Sequence, residues 1–198
     1  MPFLTAANSD WQQTQFYVLH ETAPHLGINI TQKMAQCFIK QKKKVLIFDA
    51  LLGLKNFPAP NKNPNIISLI FKHHAPLSEL IFRDKGIDII AGISHQNLTA
   101  LSQTEQQSIK NSLKQLALNY DIVLIEIPLH VVNSIWDDLG ENLWIVSQDK
   151  NLIRKTLSNC TQDTPPHFVL NTEEDENKLN QIYAFIKILR PDCQITLF

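Results

Sequence analysis

Histidine is the side chain of this sequence best suited to bind a metal ion or to act as a base near neutral pH. The chain has seven histidines. Four of them follow short apolar runs, at the places where parallel sheets put their ligands: His20, His25, His95 and His130. No two histidines have the spacing of metal ligands on one helix face, and none pairs with a nearby cysteine. We therefore predict no metal site, and two roles stay open for these four: lining a ligand cleft, or being ordinary polar loop residues.

The cysteines and serines offer no recognisable nucleophilic site. Cys37, Cys160 and Cys193 are far apart and odd in number, which argues against a disulfide framework and a zinc site and favours a reducing cytosol. Cys37 lies between apolar neighbours on a predicted helix, so we expect it to be a small core residue. Ser94 and His95 are adjacent but match no hydrolase motif, and no Gly-x-Ser-x-Gly occurs.

Composition and charge narrow the class of protein. Of 198 residues, 44% are hydrophobic and 19% are charged, which suffices for one core and argues against a disordered chain. Lys and Arg total 18 against 19 Asp and Glu, so a strongly basic nucleic-acid module is excluded. A basic run, Lys40 with Lys42–Lys44, lies at a helix end, where the helix dipole and solvent explain it. Without a bilayer-length apolar run or a secretory signal, we expect a cytoplasmic protein with no membrane anchor.

Short apolar runs alternate with longer amphipathic stretches. The apolar runs predict strands at 16–21, 44–49, 86–92, 120–127, 142–147, 167–171 and 194–198. The amphipathic stretches predict helices at 30–41, 102–116, 150–158 and 178–189, short helical pieces at 66–73 and 76–82, and a Pro- and Asn-rich loop at 56–65. Runs that are apolar on both faces are typical of a parallel sheet covered by helices. We therefore predict an α/β fold, a mostly parallel sheet with helices on both faces, in one domain over 1–198 with a flexible segment at 1–14.

Five stretches, in order, resemble the MinD/ParA-type P-loop ATPases. They are KVLIFDALLGLKNF (44–57), PLSELIF (76–82), GIDIIAGIS (86–94), LTALSQTEQ (98–106) and YDIVLIEIP (120–128). ENLWIVSQD (141–149) and HFVLNTEED (167–175) continue the similarity, which covers roughly residues 16–171. LTALSQTEQ is most similar to the flagellar-number regulators of the FlhG/FleN (YlxH) branch. The resemblance implies a three-layer P-loop NTPase-like fold.

The resemblance also places the family's phosphate-binding loop, counted back without gaps from the strand at 44–49. The loop falls on Glu21, Thr22, Ala23, Pro24, His25, Leu26, Gly27 and Ile28. Such a loop needs glycine-rich backbone, a lysine that neutralises phosphate charge, and a hydroxyl that binds Mg²⁺. Here Gly27 stands at the lysine position and Ile28 at the hydroxyl position, and Pro24 has no N–H to donate. Thr31 could supply a hydroxyl only in a remodelled loop.

Three further positions match the family's metal and switch residues. Asp49 is retained, and Leu51 replaces the acid that in the family positions the attacking water. Glu126 stands at the aspartate of the second Mg²⁺-binding strand. Together with the altered loop, these changes predict that ATP hydrolysis is lost and ATP binding with it. We therefore expect no catalytic residue and no cofactor.

By resemblance, the expected function is that of a MinD/FlhG-like scaffold or regulator. It would act by protein–protein contacts in flagellar number or placement, or in a related polar or envelope assembly. The partner would be a flagellar transcription activator, an FlhF-like GTPase, an active MinD-like ATPase, or a second copy of the chain. Two alternatives stay open: a divergent ATPase that binds Mg²⁺ and ATP through Asp49 and Glu126, and a module that holds a small ligand in the vacated cleft.

Overall fold

A computed structural model describes most of the chain. The described residues are 14–21, 27–50, 76–90, 101–128, 136, 138–146, 149–160, 165–170 and 176–198. The loop predicted at 56–65, the helical piece predicted at 66–73 and all but the last residue of the N-terminal segment lie outside them.

Strands and helices alternate as the sequence predicts. The strands are β1 Gln15–Glu21, β2 Val45–Asp49, β3 Phe82–Asp84, β4 Ile87–Ile90, β5 Ile122–Pro128, β6 Glu141–Ile145, β7 His167–Leu170 and β8 Gln194–Leu197. The helices are α1 Gly27–Lys40, α2 Gln103–Ala117, α3 Lys150–Asn159 and α4 Glu176–Leu189, and a 3-10 helix covers Leu77–Leu80.

All eight strands belong to one sheet, in the order β3-β4-β2-β5-β1-β6-β7-β8. Only β3 runs antiparallel to its neighbour, β4; the other six pairs are parallel. The first strand of the chain is therefore central, with β5 on one side and β6 on the other. The predicted mostly parallel sheet is confirmed.

Helices cover both faces of the sheet, because successive side chains of a strand point to opposite faces. On one face, Leu19 of β1 and Leu124 of β5 pack with Ile30 and Met34 of α1, all of them buried. On the other face, Ile125 of β5 packs with the buried residues of α2, and Phe168 of β7 packs with those of α3 and α4. Burying these apolar side chains supplies about 25 cal/mol per Å² removed from water.

Local signals set the ends of two helices. The Ser102 hydroxyl accepts the Glu105 N–H at 3.3 Å, and the Glu105 carboxylate accepts the Ser102 N–H at 2.8 Å, so the predicted capping box starts α2. At the end of α1, Lys42 takes a left-handed conformation with φ of 62°. Its N–H donates to the Ile39 carbonyl at 2.8 Å, and the Lys43 N–H donates to the Phe38 carbonyl at 3.1 Å, which is a Schellman motif.

The sequence prediction of a helical piece over the whole of 76–82 is wrong at its end, where β3 begins. The helical part is only the 3-10 turn Leu77–Leu80, and Phe82 already belongs to an extended strand. Lys85 and Gly86, with φ of 48° and 84°, form a tight turn that folds β3 back on β4. A two-residue turn with positive φ at both positions matches the twist of a hairpin. This turn therefore favours an antiparallel strand over a helix at residues 82–84.

The position of Cys37 is a second correction. We predicted a small core residue, but the Cys37 side chain is exposed. The stripe of α1 that packs on the sheet runs through Ile30, Met34 and Phe38, and Cys37 lies at its edge.

Candidate functional site

Two acidic side chains are buried side by side where β2 and β5 end. Asp49 and Glu126 are register partners on these adjacent parallel strands, and their exposed fractions are 0% and 1%. By strand alternation, Asp49 follows Ile47 and Glu126 follows Leu124 on the face that α1 covers. The Ala50 N–H donates to the Glu126 carbonyl at 3.1 Å, so the pairing continues past the carboxylates. The two acids therefore lie together at the carboxyl ends of neighbouring strands.

β1 ends and α1 begins at this same carboxyl end of the sheet. The strand ends at Glu21 and the helix begins at Gly27, so Gly27 and Ile28 form the first turn of α1. Thr22, Ala23, Pro24, His25 and Leu26 lie outside the described residues, as does Leu51. The structure thus gives a strand, a short connection and a helix where the resemblance placed the phosphate loop.

Thr31 adds a third polar group near this edge. It lies one turn into α1, its side chain is fully buried, and its Oγ1 has no hydrogen-bond partner among the residues that the structure describes. An unsatisfied buried hydroxyl is unfavourable by about 1–3 kcal/mol. A hydroxyl embedded in the apolar stripe between Ile30 and Met34 is the sequence signal that could have drawn more attention to it.

His20 does not join the two acids. It is 1% exposed and belongs to β1 rather than to a loop. By alternation it shares the face of Val18, which is opposite to α1. Its ring stacks on Trp144 at 4.2 Å between centroids, and its Nε2 lies 2.7 Å from Asn142 Oδ1. The other three histidines considered for the cleft, His25, His95 and His130, lie outside the described residues.

Solved structures with the same architecture are known. The MinC:MinD cell division protein complex from Aquifex aeolicus matches with a TM-score of 0.65 and 15% identity, over 93% of this chain and 81% of that one. McdA from Cyanothece matches with a TM-score of 0.62 and 14% identity, over 93% of this chain and 85% of that one in the apo form. A McdA variant in complex with ATP matches with the same TM-score and identity, over 93% and 82%.

The chain has the MinD/ParA-type P-loop ATPase fold. Identities of 14–15% support the fold alone. No protein-family model matches the chain, and no curated protein matches it by sequence. The fold expected from the ordered stretches at 44–57, 86–94 and 120–128 is confirmed, and the carboxyl edge described above is where such sheets bind ligands.

Mg²⁺-ATP is the group that this fold implies, and the residues present fit only part of it. Carboxylate oxygens are ligands that Mg²⁺ takes, and Asp49 and Glu126 stand together. The connection at 22–26, which would have to wrap the phosphates, contains neither glycine nor lysine. Two carboxylates of the kind that Mg²⁺ takes are therefore present, whereas the residues at 22–26 do not fit the phosphates, so we assign no ATP-dependent step.

In the described part of the chain, no group of three or more His, Cys, Asp or Glu residues could hold a metal ion. No helix of that part is long and apolar enough to cross a bilayer.

Proposed function

We propose that this protein is a MinD/FlhG-like scaffold that acts through protein contacts and does not hydrolyse ATP. One observation carries the proposal: the chain passes from Glu21 of β1 to Gly27 of α1 through Thr-Ala-Pro-His-Leu. This connection offers no lysine for phosphate charge, and Pro24 lacks the N–H that a phosphate cradle uses. Without those groups, the site has little to hold the charge of a triphosphate.

The resemblance to the FlhG/FleN branch makes flagellar number or placement, or a related polar or envelope assembly, the proposed process. The partner would be a flagellar transcription activator, an FlhF-like GTPase or an active MinD-like ATPase. The Aquifex aeolicus structure of this fold is a complex of MinD with MinC, which supports protein contacts as the mode of action. Deleting the gene in its own host and counting flagella per cell tests the process; an unchanged number and position would contradict it.

Calorimetric titration of the purified chain with Mg²⁺-ATP and Mg²⁺-ADP, with its solution mass measured alongside, tests the loss of nucleotide function. We expect no binding heat and no change of mass. Micromolar binding of ATP with dimerisation would contradict the proposal, because it would restore a nucleotide-controlled switch.

The second candidate is a divergent Mg²⁺-ATP-binding protein, and the buried Asp49–Glu126 pair favours it. Glu126→Gln and Asp49→Asn distinguish the two candidates, because each removes a carboxylate with little change of volume. If the pair still binds Mg²⁺, millimolar Mg²⁺ raises the melting temperature of the wild type and not of either variant. If the scaffold proposal holds, Mg²⁺ shifts none of the three, and Asp88→Asn, away from this edge, is the matched control.

A further inference from the structure

Among the described residues, β8 is the strand at one edge of the sheet. Its Gln194 N–H donates to the Pro166 carbonyl at 2.9 Å, and the Phe198 N–H donates to the Leu170 carbonyl at 2.9 Å. Residues 194, 196 and 198 therefore turn their backbone groups inward to β7. Because these directions alternate along a strand, the N–H and C=O groups of Ile195 and Leu197 point outward. Among the described residues, no strand lies beyond β8.

The opposite edge of the sheet is built differently. There β3 has only three residues, and two of them, Arg83 and Asp84, carry charge. A short, charged strand is a common way to prevent a sheet from pairing with another chain. β8 has the sequence Gln-Ile-Thr-Leu, with no charge, proline or glycine, and Leu197 is 53% exposed. The β8 edge lacks the protection that the β3 edge has.

One side of α4 faces the start of β8, because Lys187 Nζ donates to the Cys193 carbonyl at 2.7 Å. Tyr183 lies one turn earlier on that side of the helix and is 46% exposed. Elsewhere on α4, the ring centroid of Phe185 lies 5.4 Å from Arg154 Cζ of α3. Tyr183 of α4 and Leu197 of β8 are thus two large side chains that are both about half exposed.

We propose that two copies of this chain pair through β8, antiparallel and about a two-fold axis at Thr196, to form one continuous sheet. In this register Ile195 faces Leu197 of the second copy, and the two exchange N–H···O=C bonds, which are the bonds that their outward groups can make. The same register sets apolar Ile195 against apolar Leu197 on one face, a favourable cross-strand pair. A two-fold axis brings identical residues together, and an uncharged strand meets no like charge there.

The residue at the axis is held in place before pairing. The Thr196 hydroxyl lies 2.7 Å from His167 Nε2, and His167 Nδ1 lies 2.7 Å from Glu141 Oε1. His167 is 6% exposed and thus ties the open strand to β6 through a buried ring. Association of a pre-ordered strand loses less conformational entropy than association of a mobile one. This interface lies on the β8 edge of the sheet and is separate from the carboxyl ends of β2 and β5, where Asp49 and Glu126 lie.

Sedimentation velocity over roughly 1 to 200 µM protein, without nucleotide, tests the pairing. We expect a monomer–dimer equilibrium for the wild type. Leu197→Lys places a charge on an exposed position, and Leu197→Pro removes an outward N–H that makes no bond within the sheet; both should weaken the dimer at least about tenfold. Ile188→Lys is the matched control, since Ile188 is 76% exposed on α4 and is not a residue of the pairing strand, and it should leave the equilibrium unchanged.

Cross-linking tests the register. In a Cys37→Ser background, which removes an exposed thiol, Thr196→Cys should form an intermolecular disulfide under mild oxidation, because a non-hydrogen-bonded pair sets its Cβ atoms about 4.5–5.5 Å apart. Gln194→Cys should not. A monomer at every concentration would overturn the proposal. So would a dimer that survives Leu197→Lys, a dimer that Ile188→Lys abolishes, or a dimer that forms only with Mg²⁺-ATP.

Discussion

The two ends of the parallel strands are built on different principles. At the amino ends, polar groups have bonded partners: Thr14 Oγ1 donates to the Ala117 and Tyr120 carbonyls at 2.9 and 3.0 Å, and Arg83 forms two bonds to Asp88 at 2.6 and 2.9 Å. At the carboxyl ends of β2 and β5, two acids are buried as register partners, and Thr31 of α1 buries a hydroxyl that has no hydrogen-bond partner among the described residues. We therefore expect polar groups to add stability at the amino ends and to lower it where like charges or an unbonded hydroxyl are buried.

The largest expected effect is at the amino end of β6, where Gly140 lies against the backbone of Phe16 with no room for a Cβ atom. Gly140→Ala should lower the free energy of unfolding by about 2–4 kcal/mol, because the central pair β1–β6 has to separate. Urea denaturation measures it. Gly86→Ala is the control: it has open space and only the strain of a positive φ, so it should cost about 1 kcal/mol. If both variants lost the same free energy of unfolding, close packing at Gly140 would not be important for the amino end of the strands.

Neutralising an acid should change the free energy of unfolding in opposite directions at the two ends of the strands. Asp49→Asn and Glu126→Gln should each raise the free energy of unfolding by about 1–2 kcal/mol, because each removes one of two like charges that are buried as register partners. Asp88→Asn should lower it by about 1 kcal/mol, since Asp88 accepts hydrogen bonds from both Arg83 and Tyr120. Urea denaturation in Mg²⁺-free buffer compares the three variants. Loss of stability in all three would contradict repulsion between the two buried carboxylates.

Two threonines, one at each end of the strands, test the same difference between bonded and unbonded polar groups. Thr31→Val replaces a buried hydroxyl by a methyl group of similar size and should stabilise the chain by about 1 kcal/mol. Thr14→Val removes the donor to two carbonyls and should destabilise it by about 1 kcal/mol. Thermal melts of the two variants, each against the wild type, should shift in opposite directions. A shift in the same direction would contradict the contrast.

The smallest effect is a pH window at the amino end. Hydrogen bonding from Arg83 lowers the pKa of the Asp88 carboxyl in the folded chain. The Asp88 carboxylate therefore stabilises the fold above its pKa in the unfolded chain, and this stabilisation is lost as pH falls through the lowered pKa.

Burial, and then the bond to Asp88, raises the pKa of Tyr120 to about 12. The protonated Tyr120 hydroxyl therefore stabilises the fold fully below about pH 10, and this stabilisation is lost as pH rises through about 12. Tyr120→Phe should flatten the alkaline fall in stability and remove the latest step of the tyrosinate absorbance titration; an unchanged alkaline limb would show that Tyr120 is uncoupled from folding.

The sequence predicts those helices and strands whose apolar residues recur at a regular spacing. Strands such as β5 show a continuous apolar run, and α2 shows both its stripe and its Ser102–Glu105 box, so each could be located from local patterning. The sequence does not predict β3, because three residues are too few to show an alternating pattern. This strand depends on the turn at Lys85 and Gly86. Asp49 closes an apolar run whereas Glu126 stands within one, and both are singled out by the resemblance to the family's motifs. The burial of Thr31 and the His167 bridge depend on which elements meet in space, which no local pattern encodes.

The strand order also bears on synthesis of the chain. β1 pairs only with β5 and β6, so a chain growing from its amino end carries an unpaired central strand until residues 122–128 have emerged. From that point β6, β7 and β8 each add outward to a strand already in place. Until residue 128 is synthesised, the chain therefore exposes an apolar strand that chaperones would have to shield, whereas the later strands can fold one at a time.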